Sequence, residues 1–500
     1  MKLNNLQKNF YIFFSVIISI LIAAILWEKI NLPFNNKIGA KGFLVTQEYN
    51  PFNDTVRYIF FILLPLIVFF ILNKTLKNQT INFEKLIFES NIKKINDRDP
   101  YIFIIFFIFI FFILLEFFSI NFIFSNYKID HFHDGNYLTP VQNYISTKKI
   151  WTGSQLTHGL SDMFYPLFVW KIFGIESIGA ARSFTIFLVL FLKIFSILLS
   201  YQLTKITKLN RESKIIFFTL FSSIIIFMSK YTYLGPSYYI SHKDIYIILF
   251  LIFFIELFIN SKFRNLSLII ICLISTFALL FQIDKGFYIN FVLFFYFIYL
   301  IITKKYKDCL LIIFSLFIFW TIVIGLVSFE EFKAFLNNSK TIILSMDLMH
   351  GLKYPEPFFS MGINSDGARA TKGLLLQLTA CLFVLNFLFS DINKISNSKK
   401  MLFIFLILLS LIMYKNALGR SDGPHIRDSN DLPMLINVFF ILNYLLIYFK
   451  KKIFINKLLS NKNFFIIPLL YLFIYFSVNH NNYNINNIKN YKSNFVNFIN

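Results

Sequence analysis

The sequence predicts an all-α polytopic membrane protein with about 13 spanning helices and outward-facing polar loops. Three observations carry this reading. Of 500 residues, 57% are hydrophobic, 20% aromatic and only 15% charged. Soluble globular chains carry nearer a quarter charged residues, and so apolar a chain collapses instead of staying disordered. Apolar runs near the ~20 residues that cross a hydrocarbon core recur along the whole length. Lys and Arg concentrate in alternate loops, the bias that orients membrane helices. The net charge of +22 is thus read as membrane orientation, not as a nucleic-acid surface.

The runs start near Asn9, Val56, Tyr101, Ser177, Ile215, Asp244, Leu266, Phe287, Cys309, Gly373, Met401, Pro433 and Phe464. The first, Asn9 to Trp27, follows a short basic start. It is longer than a signal-peptide core and lacks a clear small-residue cleavage site, so it reads as a retained helix. Cys272, Cys309 and Cys381 are far apart, without the paired spacing of a disulfide framework or zinc site. The 69 Phe read as compositional bias and need no cofactor. There is no internal repeat, no phosphate-binding Walker loop and no dinucleotide glycine fingerprint. Three stretches organise the chain: 1–100 with two helices and a basic loop, 101–330 with a core and an acidic outer loop at 121–176, and 331–500 with an outer loop and the last helices.

One loop set comprises the N-terminus and 73–100, 204–214, 261–265, 303–308, 390–400 and 450–463. It holds about 25 of the 48 basic residues and about 7 of the 26 acids, and is expected to be cytoplasmic. The other set, 28–55, 121–176, 230–243, 282–286, 330–372, 416–432 and the Asn-rich tail from Asn479, is expected to face outward. Every polar cluster that looks chemical falls on this outer set.

The first cluster is Asp130-His131-Phe132-His133-Asp134-Gly135-Asn136. On one helical turn Asp130, His133 and Asp134 share a face, with Gly135 expected to end the turn. Such a set serves a general base and its orienting partner, permits a divalent cation, or is a polar, capped loop. The second is Gly419-Arg420-Ser421-Asp422-Gly423-Pro424-His425-Ile426-Arg427-Asp428. Its guanidinium forks suit phosphate oxygens; the alternative is a solvated turn whose Arg pair with Asp422 and Asp428. The third is Gln282-Ile283-Asp284-Lys285-Gly286, a boundary turn that binds ligand or anchors at the interface. The fourth is Tyr233 to Tyr239 followed by Ser241-His242-Lys243-Asp244. It reads as an aromatic belt, with His242 and Lys243 available to phosphate. The loop 330–372 has the length of a lid but names no chemistry. Within the spans, Lys193 is near mid-helix, whereas Glu116 and Glu256 lie near helix ends where snorkelling is expected.

Three of these stretches resemble motifs of the C-type glycosyltransferase superfamily, polytopic enzymes that take sugar from a polyprenyl-phosphate carrier. Asp130 to Gly135 is similar to the acidic motif of the first large outer loop. Ile283-Asp284-Lys285-Gly286 is similar to an Asp-Arg-Gly turn, with Lys in place of Arg. Leu418 to His425 resembles an Arg-Ser-Asp…His turn. The motifs cover about 25 residues, and here the acidic loop follows the third helix instead of the first. The resemblance implies a bacterial plasma-membrane protein, and the charge distribution places its N-terminus on the cytoplasmic side. It implies sugar transfer to an acceptor hydroxyl on a glycan, lipid or protein. Asp130 or Asp134 is then the expected base, oriented by His133. Arg420, His425 and Lys285 are expected to steady the leaving phosphate, with Asp284, His242 and Lys243 as further contacts. The motifs name no cofactor with certainty, and a divalent cation stays possible.

Three other readings compete. An O-antigen polymerase or ligase type of protein would rest on Arg420, Arg427 and His425. A flippase or transporter would show repeats and broken mid-membrane helices. A scaffold would use the loops to bind another protein.

Overall fold

The computed structural model describes all residues except 1–4, 34–48, 77–98, 121–130, 230–239, 260–261, 360–365, 390–396, 451–467 and 473–484. In chain order the helices are α1 (Asn5–Ile25), α2 (Pro51–Thr75), α3 (Pro100–Phe118), α4 (His131–Thr147), α5 (Ser161–Phe173), α6 (Ile178–Ile206) and α7 (Arg211–Phe227). A 3-10 turn, His242–Asp244, leads into α8 (Ile245–Ile259), α9 (Arg264–Phe281), α10 (Ile283–Ile302), α11 (Tyr306–Val327) and α12 (Phe329–His350). There follow α13 (Asp366–Phe389), α14 (Asn397–Met413), α15 (Lys415–Gly419), α16 (Gly423–Asp428), α17 (Asp431–Lys450), α18 (Ile485–Lys489) and α19 (Tyr491–Ile499).

Among the described residues there are no strands, only two isolated bridges, and ten helical stretches are long and apolar enough to cross a membrane. The chain is a helical membrane-embedded protein. Of the 13 runs read from the sequence, those near Ile215 and Asp244 form α7 and α8, of 17 and 15 residues. At 1.5 Å per residue, α8 is only about 22 Å long, short for a lipid-facing span. Most of its residues are buried against neighbouring helices, so its apolar character reflects protein burial as much as lipid. The run at Phe464 lies almost wholly outside the described residues.

The chain divides into two compact units, 1–91 with 344–445 and 92–343 with 446–500. In the first, α1 and α2 pack together and α13 packs on α2. A buried aromatic knot joins them: Trp27 against Phe61 and Tyr354, and Tyr58 stacked on Tyr414 with centroids 4.8 Å apart. Tyr354 Oη donates to Ala370 O at 3.0 Å and lies 2.6 Å from Tyr414 Oη. Both phenols thus enter the apolar interior with partners, as burial requires.

In the second unit α6 packs against α3, α5, α7, α8 and α19. Its buried face carries Ser196, Ser200 and Thr204, small residues at intervals of four that let helices approach closely in lipid. The Ser200 and Thr204 hydroxyls donate back to the carbonyls four residues earlier, at 2.9 and 2.7 Å, whereas Ser196 Oγ is buried without a hydrogen-bond partner. Lys193, on the same helix, is 2% exposed and donates to both carboxylate oxygens of Glu116 on α3, at 2.9 and 2.8 Å. Glu116 was expected to snorkel. It turns inward instead, because an ammonium at that depth needs a counter-charge.

Candidate functional site

Two polar assemblies stand out, one in each unit. The one in the second unit is built where α9 breaks into α10. Gln282 sits at the break with φ −143° and ψ 89°. The segment 158–160 lies along this corner: Leu160 N donates to Leu280 O and Ile283 N donates to His158 O, each at 2.8 Å. Gly159, between them, has φ +114°, and a Cβ there would lie 2.7 Å from Leu280 O. Only glycine meets both demands. We expect Gly159→Ala to cost about 1–3 kcal/mol, read as a lower thermal midpoint in detergent. An unchanged midpoint would show that the corner is not under strain.

Around this corner a cleft is lined by Asp134, Tyr137, Ser161, Arg182, His242 and Gln282 among others. Its free volume is ≈ 20 Å³, room for about one or two waters, so a sugar ring enters only if the walls move. Asp134, on the first turn of α4, takes a two-pronged ion pair from Arg182 of α6, at 3.0 Å from Nε and 2.6 Å from Nη2. Both side chains are buried, so each charge depends on the other for its loss of water. The Tyr137 phenol is pushed well above its ordinary value, first by burial and then by Asp162 and Asp134. Gln282 donates Nε2 to Ser161 Oγ at 2.6 Å, while its Oε1 is buried without a hydrogen-bond partner.

Next to the cleft, Lys285 Nζ lies 2.6 Å from Asp244 Oδ1, both fully buried. Asp244 also caps the 3-10 turn, accepting from Ser241 N at 2.7 Å and Ser241 Oγ at 3.0 Å. The turn therefore carries His242 into the cleft wall and offers a carboxylate to Lys285. Behind Ser161, Asp162 is 1% exposed and accepts from His158 N at 2.9 Å and Thr157 Oγ1 at 3.1 Å. Its other oxygen is 3.0 Å from His158 Nδ1. Burial pushes the Asp162 carboxyl up, but His158, acting by charge and by hydrogen bonds, and more weakly Lys243, outweigh it and leave it below the ordinary value.

The assembly in the first unit is the turn that joins α15 and α16. Asp422 is its hub: Arg420 Nε is 2.7 Å from one oxygen and His425 Nδ1 is 2.5 Å from the other. The same carboxylate caps α16 through His425 N at 3.1 Å. Arg427 Nε donates to Gly423 O at 3.2 Å, and a Cβ on Gly423 would lie 2.3 Å from Arg369 Nη1. Three guanidinium groups and an imidazole thus gather at one turn. Ser421 Oγ ties it to Lys353 O at 2.6 Å. Beneath lies a further ion cluster, Asp54–Arg57–Glu28–Lys353, in which Arg57 Nη1 is 3.1 Å from Asp54 and Lys353 Nζ is 3.1 Å from Glu28.

Burial pushes the Asp422 carboxyl up, but His425 and Arg420 overcome this and hold it down at about 2. A carboxyl depressed in the folded state stabilises above its free value of 3.8 and loses that contribution as pH falls through about 2. We therefore expect amide protection across 420–428 to hold above pH 4, to fall progressively below the free value of 3.8 and to be lost near pH 2. A loss already complete at pH 4 would refute the pairing.

Of the residues singled out in the sequence, Asp134 and His242 share the cleft, and Lys285 adjoins it through Asp244. Arg420 and His425 belong to the other unit. Asp284 follows the α9–α10 break with one oxygen buried and without a hydrogen-bond partner, and Lys243 acts on Asp162 from a distance. Asp130, and the stretch Tyr233 to Tyr239, lie outside the described residues, as does the His133 side chain. Gly135 was expected to end a turn; instead α4 runs through it to Thr147. Among the described residues no three His, Cys, Asp or Glu side chains converge as metal ligands. Sequence reasoning missed Arg182, His158 and Asp162. The usable signals were a guanidinium just inside the start of an apolar helix, and a His and Asp four residues apart in a loop.

The chain matches no protein-family model, no curated protein and no solved structure. The class that fold and site define is a polytopic helical membrane protein with a small, mostly apolar cleft whose wall holds a buried ion pair.

Proposed function

We propose that this chain is a glycosyltransferase of the bacterial plasma membrane. In this reading it moves a sugar from a polyprenyl-phosphate carrier to an acceptor hydroxyl on the outer face, with about 13 spans and a cytoplasmic N-terminus. One observation carries the reading. Asp134, His242 and Gln282, from three loops far apart in sequence but all on the expected outer side, line one cleft. Lys285 stands beside it.

The chemistry needs a base for the acceptor and cations for the departing phosphate. Lys285, His242 and Lys243 are the cations near the cleft in this reading. Arg420 and His425, in the other unit, form an anion-binding turn of their own, where the Arg420 fork suits a phosphate. Asp134, held by Arg182, acts as the cleft's anchor, and it serves as a base only if Arg182 lets go. Whether a divalent cation assists stays open in this reading.

The test is analysis of envelope glycans and lipid carriers in a deletion strain, complemented by the wild type, Asp134→Asn, and Arg420→Ala with His425→Ala. Loss of one sugar on deletion is expected, restored by the wild type and reduced by Asp134→Asn, which weakens the ion pair that anchors the cleft wall. Full activity of Asp134→Asn with loss in the Arg420/His425 variant would favour the O-antigen polymerase or ligase reading, which the gathering of Arg369, Arg420 and Arg427 at one turn would suit. No glycan change on deletion would end both. Sidedness is checked separately by reporter fusions at 135 and 425, which should both report the outer face.

A further inference from the structure

We propose that His158, oriented by Asp162, is the proton acceptor of the second unit's site. The inference rests on the transferase reading above and deepens it.

The geometry is that of an imidazole held from behind. An ionised carboxylate only accepts hydrogen bonds, so Asp162 Oδ1, 3.0 Å from Nδ1, keeps the neutral ring's proton on Nδ1. The lone pair is then on Nε2, at the opposite edge of the ring. Asp162 is itself immobile: it is buried, and two further donors, His158 N and Thr157 Oγ1, fix it. The His158 side chain is 34% exposed while that of Asp162 is 1% exposed. The carboxylate is closed off from water while the imidazole stays partly open, as an orienting group behind a proton-exchanging one requires.

The dyad borders the cleft through neighbouring residues and is not itself part of the lining. Ser161, adjacent to Asp162, lines it, and Asp162 acts on the Tyr137 phenol in its wall. The charged and titratable groups around the dyad include Asp162 and Tyr165 on α5, Tyr137 and Asp134 on α4, Arg182 on α6, and His242, Lys243 and Asp244 on the 3-10 turn. The α9–α10 corner, bonded to His158 O, adds Asp284 and Lys285, the latter already engaged with Asp244.

Asp134 is the less suited acceptor because a buried guanidinium already neutralises it. In the step itself the acceptor's O–H bond breaks and its proton passes to Nε2. The oxygen's electron pair forms the new bond to the anomeric carbon. The carbon–oxygen bond to the phosphate breaks, and that pair leaves on the phosphate. The imidazolium then returns its proton to solvent at the open edge.

A structural role for the same contacts, stapling the loop 157–162, predicts different results, and the test separates them. A strain of the source organism lacking this chain is complemented with the wild type, His158→Gln, His158→Gly and Asp162→Asn. Envelope glycan is then quantified by mass spectrometry, with protein levels checked in membranes. The expected result is a 10²–10⁴-fold loss of transfer in His158→Gln at normal protein level. Transfer in His158→Gly returns in part when imidazole is added to the medium, and Asp162→Asn falls between. His158→Gln at wild-type transfer, or His158→Gly that no imidazole rescues, overturns the proposal while leaving the transferase reading intact. A wild type that restores no sugar overturns both.

Discussion

Arg182→Met lowers the stability of the folded chain by about 3–5 kcal/mol, one of the two largest losses expected from a single substitution here. Arg182 and Asp134 are 6% exposed each and joined by two bonds of 3.0 and 2.6 Å. Removing the guanidinium leaves a carboxylate out of water without its counter-ion. Most of the cost is that of the stranded charge, not the worth of the pair. The double variant Asp134→Leu/Arg182→Met removes both charges and regains most of the loss, because apolar packing replaces a buried pair at little cost. The readout is the thermal unfolding midpoint in detergent for both singles and the double. Equal midpoints for wild type and Arg182→Met would show that water reaches Asp134 and that the cleft is open.

Gly286→Ala is expected to prevent accumulation of folded protein, a loss of about 3 kcal/mol or more. A Cβ at Gly286 would lie 2.2 Å from Leu279 Cα, 2.3 Å from Leu279 N and 2.6 Å from Ala278 C. All three are backbone atoms of α9, so no side chain can swing aside. The α9–α10 corner would have to open, and Gln282 and Lys285 would leave their places. Gly135→Ala is the control: nothing lies within 4 Å of its Cβ position, and within a helix Ala is favoured by roughly 0.5–1 kcal/mol. A monodisperse Gly286→Ala protein with an unshifted midpoint would contradict the close approach of the two helices.

These two glycines show how little of the site a linear reading can reach. Gly286 stood in a motif whose chemistry was read from Asp284 and Lys285. Its own role, close passage past Leu279, is a contact seven residues back and depends on a helix break at Gln282 that periodicity does not announce. Gly135 looked like a helix end, yet the helix continues, because packing against α5 outweighs the modest entropic cost of one glycine.

Composition and charge spacing alone determined the class of protein. Long apolar runs must be helices in lipid, where every backbone group needs an internal partner, and that constraint is local enough to read along the chain. They also marked which loops carry carboxylates, imidazoles and guanidinium groups. Only the tertiary structure decided which charges meet. Asp134 met Arg182 and Lys193 met Glu116, because a charge taken from water accepts whichever counter-charge the packing of whole helices brings within about 3 Å. That choice is made by three-dimensional contact between segments tens of residues apart, and no spacing along the chain records it.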